Sequence, residues 1–125
     1  MRRYLEPSAM PPATAPHIAP LARARATHNH YLQCQALIGL AGCGRPHRHA
    51  LDHGWQARRL ASAGGYAHLE GQALTTLATV YLDDGQPERA IRMATLAAGI
   101  HRRTGHRPGL ERSERIVIDA RQNLG

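Results

Sequence analysis

GYAHLEGQALTTLATVYLDDG (residues 65–85) lies over GHRPGLERSERIVIDARQNLG (residues 105–125) at an offset of 40, with both flanking glycines matched. Glycine is the favoured residue just past a helix C-terminus, because it takes the left-handed conformation with no Cβ to clash. Outward from this pair, glycines recur at Gly44, Gly64–Gly65, Gly85, Gly105 and Gly125, every 20 or 21 residues. Such an interval holds a helix of about 16 residues and a tight turn. The spacing predicts five helices, near residues 27–43, 47–62, 67–84, 87–103 and 107–123. Pro46 and Pro87 follow glycines by two residues, where a first helical residue belongs and proline is tolerated. Glu88 falls in a first turn, and Arg58, Arg59, Arg102 and Arg103 fall near C-termini, as the helix dipole favours.

The apolar residues keep a helical period. Leu69, Ala73, Leu77 and Tyr81 make one stripe; Ala90, Ala94, Ala97 and His101 make a second. Leu110, Ser113, Val117, Ala120 and Leu124 make a third. Alanine lets two helices approach closely, so consecutive helices are expected to form antiparallel hairpins. HALDHGWQARRLASAGG (residues 49–65) also lies over RAIRMATLAAGIHRRTG (residues 89–105) at the offset of 40, pairing Ala50 with Ala90 and Ala57 with Ala97. QALIGLA (residues 35–41) matches QALTTLA (residues 72–78) at an offset of 37. A period near 40 residues points to a repeated helix pair.

Composition agrees. Of 125 residues, 42% are hydrophobic but only 4% aromatic, with no Phe. Strands draw on β-branched and aromatic side chains, whereas Ala and Leu favour helix, so the chain reads as all-α. The length suits one domain. Residues 1–25 read as a disordered or extended tail, since Pro7, Pro11, Pro12, Pro16 and Pro20 each remove an amide donor. Residues 26–125 are then the helical domain. There is no run of about 20 apolar residues, so no membrane span is expected. Cys34 and Cys43 lie roughly 13 Å apart along one helix, too far for a disulfide, and read as free thiols of a reducing cytoplasm.

Residues 70–103 resemble a tetratricopeptide repeat. Leu74, Leu77, Ala78 and Tyr81 match that family's first-helix pattern of large, large, small and aromatic residues. Gly85 matches its turn, and Ala90 and Ala97 match its two small second-helix positions. Ala94 stands where the family carries a larger aromatic residue. The stretch from Gly44 to Gly109 is similar to repeats of actinobacterial SARP-type and NB-ARC-type transcriptional regulators, with Tyr66 in place of a linker aspartate. The resemblance implies a solenoid of about two and a half repeats and about five helices, acting as a protein-interaction module. It implies part or remnant of a regulator, in the cytoplasm. First helices of such repeats line a concave groove, which places Gln72, Thr75, Thr79, Arg112, Arg115 and Asp119 against a partner. Two arginines there point to an acidic peptide or carboxylate, which arginine binds with paired hydrogen bonds.

The residues carry little other chemistry. His49 and His53 share a helix face beside His47, but a closed metal site needs more ligands and a supporting shell. Asp83, Asp84 and Glu88 flank a turn, where acidic residues are ordinary. Neither a phosphate loop nor a nucleophile elbow occurs. No catalysis, metal or cofactor is expected, and Trp55 is expected to pack. The formal charge of +7 is all arginine. It opens an alternative, a small basic nucleic-acid-binding protein, but single-strand binders interleave arginine with aromatics and this chain does so only at Arg2, Arg3 and Tyr4. Nucleic acid is the lesser expectation. The period calls for a further helix after Gly125, so residues 107–125 are expected to self-associate or to belong to a longer array.

Overall fold

A computed structural model describes residues 15–124. Every regular element among them is a helix: α1 (Ala15–Ala26), α2 (His30–Gly42), α3 (His47–Gly64), α4 (Ala67–Asp83), α5 (Pro87–Thr104) and α6 (Arg107–Leu124). None is long and apolar enough to cross a membrane.

Three of the turns are built alike, for one backbone reason. Gly65, Gly85 and Gly105 sit at φ 72, 75 and 72°. In that conformation the next amide reaches back to the preceding helix: Tyr66 N–H donates to the Ala61 carbonyl at 2.8 Å, Gln86 to Tyr81 at 2.9 Å and His106 to His101 at 2.9 Å. The glycine amides bond Ser62, Leu82 and Arg102. This pairing satisfies carbonyls that a helix end leaves open. Pro87 is a first-turn residue of α5, as read from the sequence, whereas Pro46 stands one step earlier and caps α3.

Each helix packs on its chain neighbours; α2 also touches α4, and α4 touches α6. One seam joins α4 to α5. Leu74, Leu77 and Ala78 meet Ala90, Ala94 and Ala97, all fully buried, and Ile116 and Ala120 of α6 extend the cluster. A second cluster holds Leu21, Cys34, Leu37, Ala57, Ala61 and Leu69, from α1 to α4. The Cys34 thiol donates to the Ala57 carbonyl at 3.2 Å, and burial pushes its pKa up to about 11. Cys34 and Cys43 form no disulfide with each other. Trp55 packs, as expected, and its indole N–H donates to the Tyr81 hydroxyl at 3.0 Å.

Three expectations about the fold need correction. Among the described residues there are six helices, not five, and residues 15–25 of the expected tail are α1. Pro16 falls in its first turn, and Pro20, inside the helix, is exposed. The carbonyl that proline leaves unpaired therefore faces water, while Leu21 and Ala24 are buried. Residues 1–14 of that expectation lie outside the described residues. The third stripe is also rotated. Gly109, Ser113, Ile116 and Ala120 are the buried row of α6, and Leu124 is exposed.

Leu77 is 0% exposed at the α4–α5 seam. Leu77→Ala is expected to lower the unfolding free energy by about 2–5 kcal/mol through lost burial and the cavity left behind. Leu96→Ala, at an exposed site, should stay within about 0.5 kcal/mol. Denaturant titration of both variants checks the pair.

Candidate partner-binding groove

α4 presents Gln72, Thr76 and Thr79 along one face, and α6 presents Arg112, Arg115 and Asp119 along another. These faces converge. A hollow of about 260 Å³ joins Ile38 of α2, Gln72 and Thr76 of α4, and Arg112 of α6. A second, about 510 Å³, carries the depression on past Thr79, Arg115 and Asp119. The even-numbered helices thus share one shallow surface. Neither Arg112 nor Arg115 is ion-paired with a carboxylate among the described residues. Their guanidiniums stand exposed.

Five of the six sequence-expected residues lie on this surface with accessible side chains. Thr75 is 5% exposed and lines the floor of the first hollow, with its hydroxyl turned to His101 of α5 and Ser113 of α6. Gln72 is followed on the outward row by Thr76, which carries the surface position assigned to Thr75.

What Thr75 does instead is hold a buried polar cluster under the groove. Its hydroxyl is 2.9 Å from the Gly71 carbonyl, 2.9 Å from His101 Nε2 and 3.2 Å from Ser113 Oγ. Only Thr75 can supply the proton between its own oxygen and a carbonyl. Its hydroxyl therefore donates to Gly71, and His101 Nε2–H donates to Thr75. His101 is oriented as a donor here, which does not activate the threonine as a nucleophile. The opposite nitrogen, Nδ1, is buried and makes no well-formed hydrogen bond. Burial chiefly, then the neighbouring His106 and His68 imidazoles, hold His101 below the ordinary histidine value, while the Gly71 carbonyl pulls the other way. The ring is neutral at neutral pH.

Two glycines make room for it. A Cβ on Gly109 would come within 2.5 Å of ring atoms of both His101 and His106, and one on Gly71 within 2.9 Å of His101. His106 uses its Nδ1 to accept the Gly109 amide at 3.0 Å, capping the start of α6. His68 meets His106 edge to face at 4.8 Å. Sequence reading placed His101 and Ser113 on buried stripes but missed that they meet through Thr75. Two polar residues on core-facing rows at equivalent depth are the signal that could have found this contact.

The other polar candidates are engaged locally. His47 lies 2.7 Å from Asp83 and 2.9 Å from Asp84, tying the start of α3 to the end of α4. His47, through its hydrogen bond, holds the Asp83 carboxyl below the usual carboxylate range. His49 is exposed and His53 half-buried. No group of three or more His, Cys, Asp or Glu among the described residues could hold a metal ion.

No family model matches the chain, and no curated protein or solved structure does either.

Acid should expose the buried ring. Unfolding restores the ordinary value of 6.5, so below it the unfolded chain binds a proton that folded His101 resists. Stability is full above that value and falls as pH drops, by at most about 1.4 kcal/mol per pH unit for this ring. His53, also lowered mainly by burial, adds in the same direction. Denaturation of His101→Gln across pH 5 to 7.5 is expected to show a slope shallower than the parent's by at most about 1.4 kcal/mol per unit. An equal slope would remove His101 as the source. Gly109→Ala, despite alanine's better helix propensity, is expected to cost about 1–3 kcal/mol because the imidazoles must move. Thermal unfolding checks it.

Proposed function

We propose that this chain is a protein-interaction module of tetratricopeptide type, a stack of helix pairs whose first helices line a groove for an acidic peptide. The observation that carries the reading is the pair of unpaired, exposed arginines, Arg112 and Arg115, on the surface where α2, α4 and α6 meet. Arginine in such a groove recognises carboxylates by paired, charge-assisted hydrogen bonds. Gln72, Thr76 and Thr79 supply neutral donors and acceptors beside it, suited to a peptide main chain. The repeat at an offset of 40 and the three matching glycine turns support the stack. The proposed setting is cytoplasmic and regulatory, as part or remnant of a repeat-bearing transcriptional regulator.

The nucleic-acid alternative is less well served. Stacking platforms need free aromatic faces. The Arg58 guanidinium lies over the Trp55 ring at 5.8 Å, and Tyr31 packs edge to face on Tyr66 at 5.1 Å. Arg2, Arg3 and Tyr4 lie outside the described residues.

A glutamate-rich peptide carrying a fluorophore tests the reading by anisotropy. Replacing both arginines, Arg112→Ala with Arg115→Ala, is expected to weaken binding roughly 10- to 100-fold, one charge-assisted contact per residue. Unchanged affinity would sink the groove. Tighter binding of a single-stranded oligonucleotide than of the peptide, lost with added salt, would favour the alternative.

A further inference from the structure

α6 has a third face, turned neither to the core nor to the groove. Leu110, Glu114, Val117, Ile118, Arg121 and Leu124 follow one another by four, three, one, three and three residues, and so share an arc of about 120°. Ile118 and Leu124 are 53% and 52% exposed, large for aliphatic side chains of a small domain. Two hollows of about 430 Å³ each run along this face where it borders α5, and both are lined by Arg102 and Glu114. The two hollows meet at Arg102 and Glu114, and Val117 and Ile118 form the apolar part of the second.

The internal repeat says what such a face receives. At the offset of 40, Glu114, Val117, Ile118 and Arg121 fall on Leu74, Leu77, Ala78 and Tyr81 of α4. That row of α4 is buried under α5, a helix joined to it by a tight turn and running the other way. The row in α6 keeps its apolar centre but has a carboxylate at one end and a guanidinium at the other.

We propose that this face is a homodimer interface, with two copies packing α6 antiparallel about a twofold axis between Val117 and Ile118. The charge pattern selects the occupant. Glu114 and Arg121 stand equally far from the Val117–Ile118 midpoint, so reversing the helix exchanges their places. In the pair, Glu114 faces the partner's Arg121 and Arg121 faces the partner's Glu114. Val117 and Ile118 meet their own copies, and Leu110 lies toward the partner's Leu124. This is the self-complementarity that an isologous contact demands. Glu114 is bridged to Arg102 at 3.7 Å, an exposed pair that costs little to rearrange. Arg112, Arg115 and Asp119 lie on the far side of α6, so the interface leaves the groove open and stands or falls independently of it.

Sedimentation velocity of the full chain over a concentration series tests the proposal, with circular dichroism to confirm that each variant is helical. The parent is expected to pass from monomer to dimer. Glu114→Arg alone and Arg121→Glu alone each set like charges face to face, and each should weaken dimerisation by about 100-fold. The double variant restores the complement and should dimerise like the parent. An equimolar mixture of the two single variants should form a heterodimer, because one offers only arginine and the other only glutamate. A parent that stays monomeric at every concentration overturns the proposal. So do single variants that dimerise unchanged, and so does a mixture that stays monomeric while both chains are folded.

Discussion

The close approach of α4 and α5 is the constraint on which the rest of this protein depends. Ala90, Ala94 and Ala97 keep one row of α5 small, with Met93 and Ile100 beside it, and the larger Leu74, Leu77 and Tyr81 of α4 pack into the same cluster. Without Phe, and with one Trp, the chain makes its core from proximity rather than from large rings. Dispersion falls off steeply with distance, so small residues at a seam yield contact only when the backbones come near. The identical glycine turns make that nearness possible by returning the chain within two or three residues.

The same closeness explains the buried polar cluster. A histidine at the end of the alanine row of α5 is 1% exposed, packed between α4 and α6. It must find its partners among the neighbouring helices, and Thr75 and Ser113 are what those rows offer. The glycines at positions 71 and 109 then follow as a steric requirement of the ring. A cluster that sits beneath Gln72 and Arg112 also fixes how α4 and α6 lie relative to each other, and with them the floor of the groove.

Much of this was legible in the sequence, because glycine and alanine act locally. Glycines at intervals of 20 or 21 residues marked the helix ends within about three residues, and the stripe from Ala90 to His101 marked the inner face of α5. What escaped depended on tertiary contact. α1 was hidden by its prolines, since no local rule says that Pro20 would face water while Leu21 finds α2. Thr75, placed in the groove by the resemblance, stands three residues from Gln72 at the buried floor of the hollow. That step turns the side chain back by about 60°, enough to cross from surface to core. Arg112 and Arg115 flank the core row of α6 at the angles where a helix surface turns from buried to exposed, and both side chains are accessible.

The packing between chain neighbours has a consequence for how this molecule comes apart. Contacts run along the chain from α1 to α6, with α2–α4 and α4–α6 as the added bridges. α4 touches helices on four sides and buries more residues than any other. The outer helices are each held from one direction, so their opening need not wait for the centre to break. Stability is then graded along the sequence, highest near Leu77 and lowest at the two ends. Arg112 and Arg115 sit on α6, which among the described helices buries far fewer residues than α4.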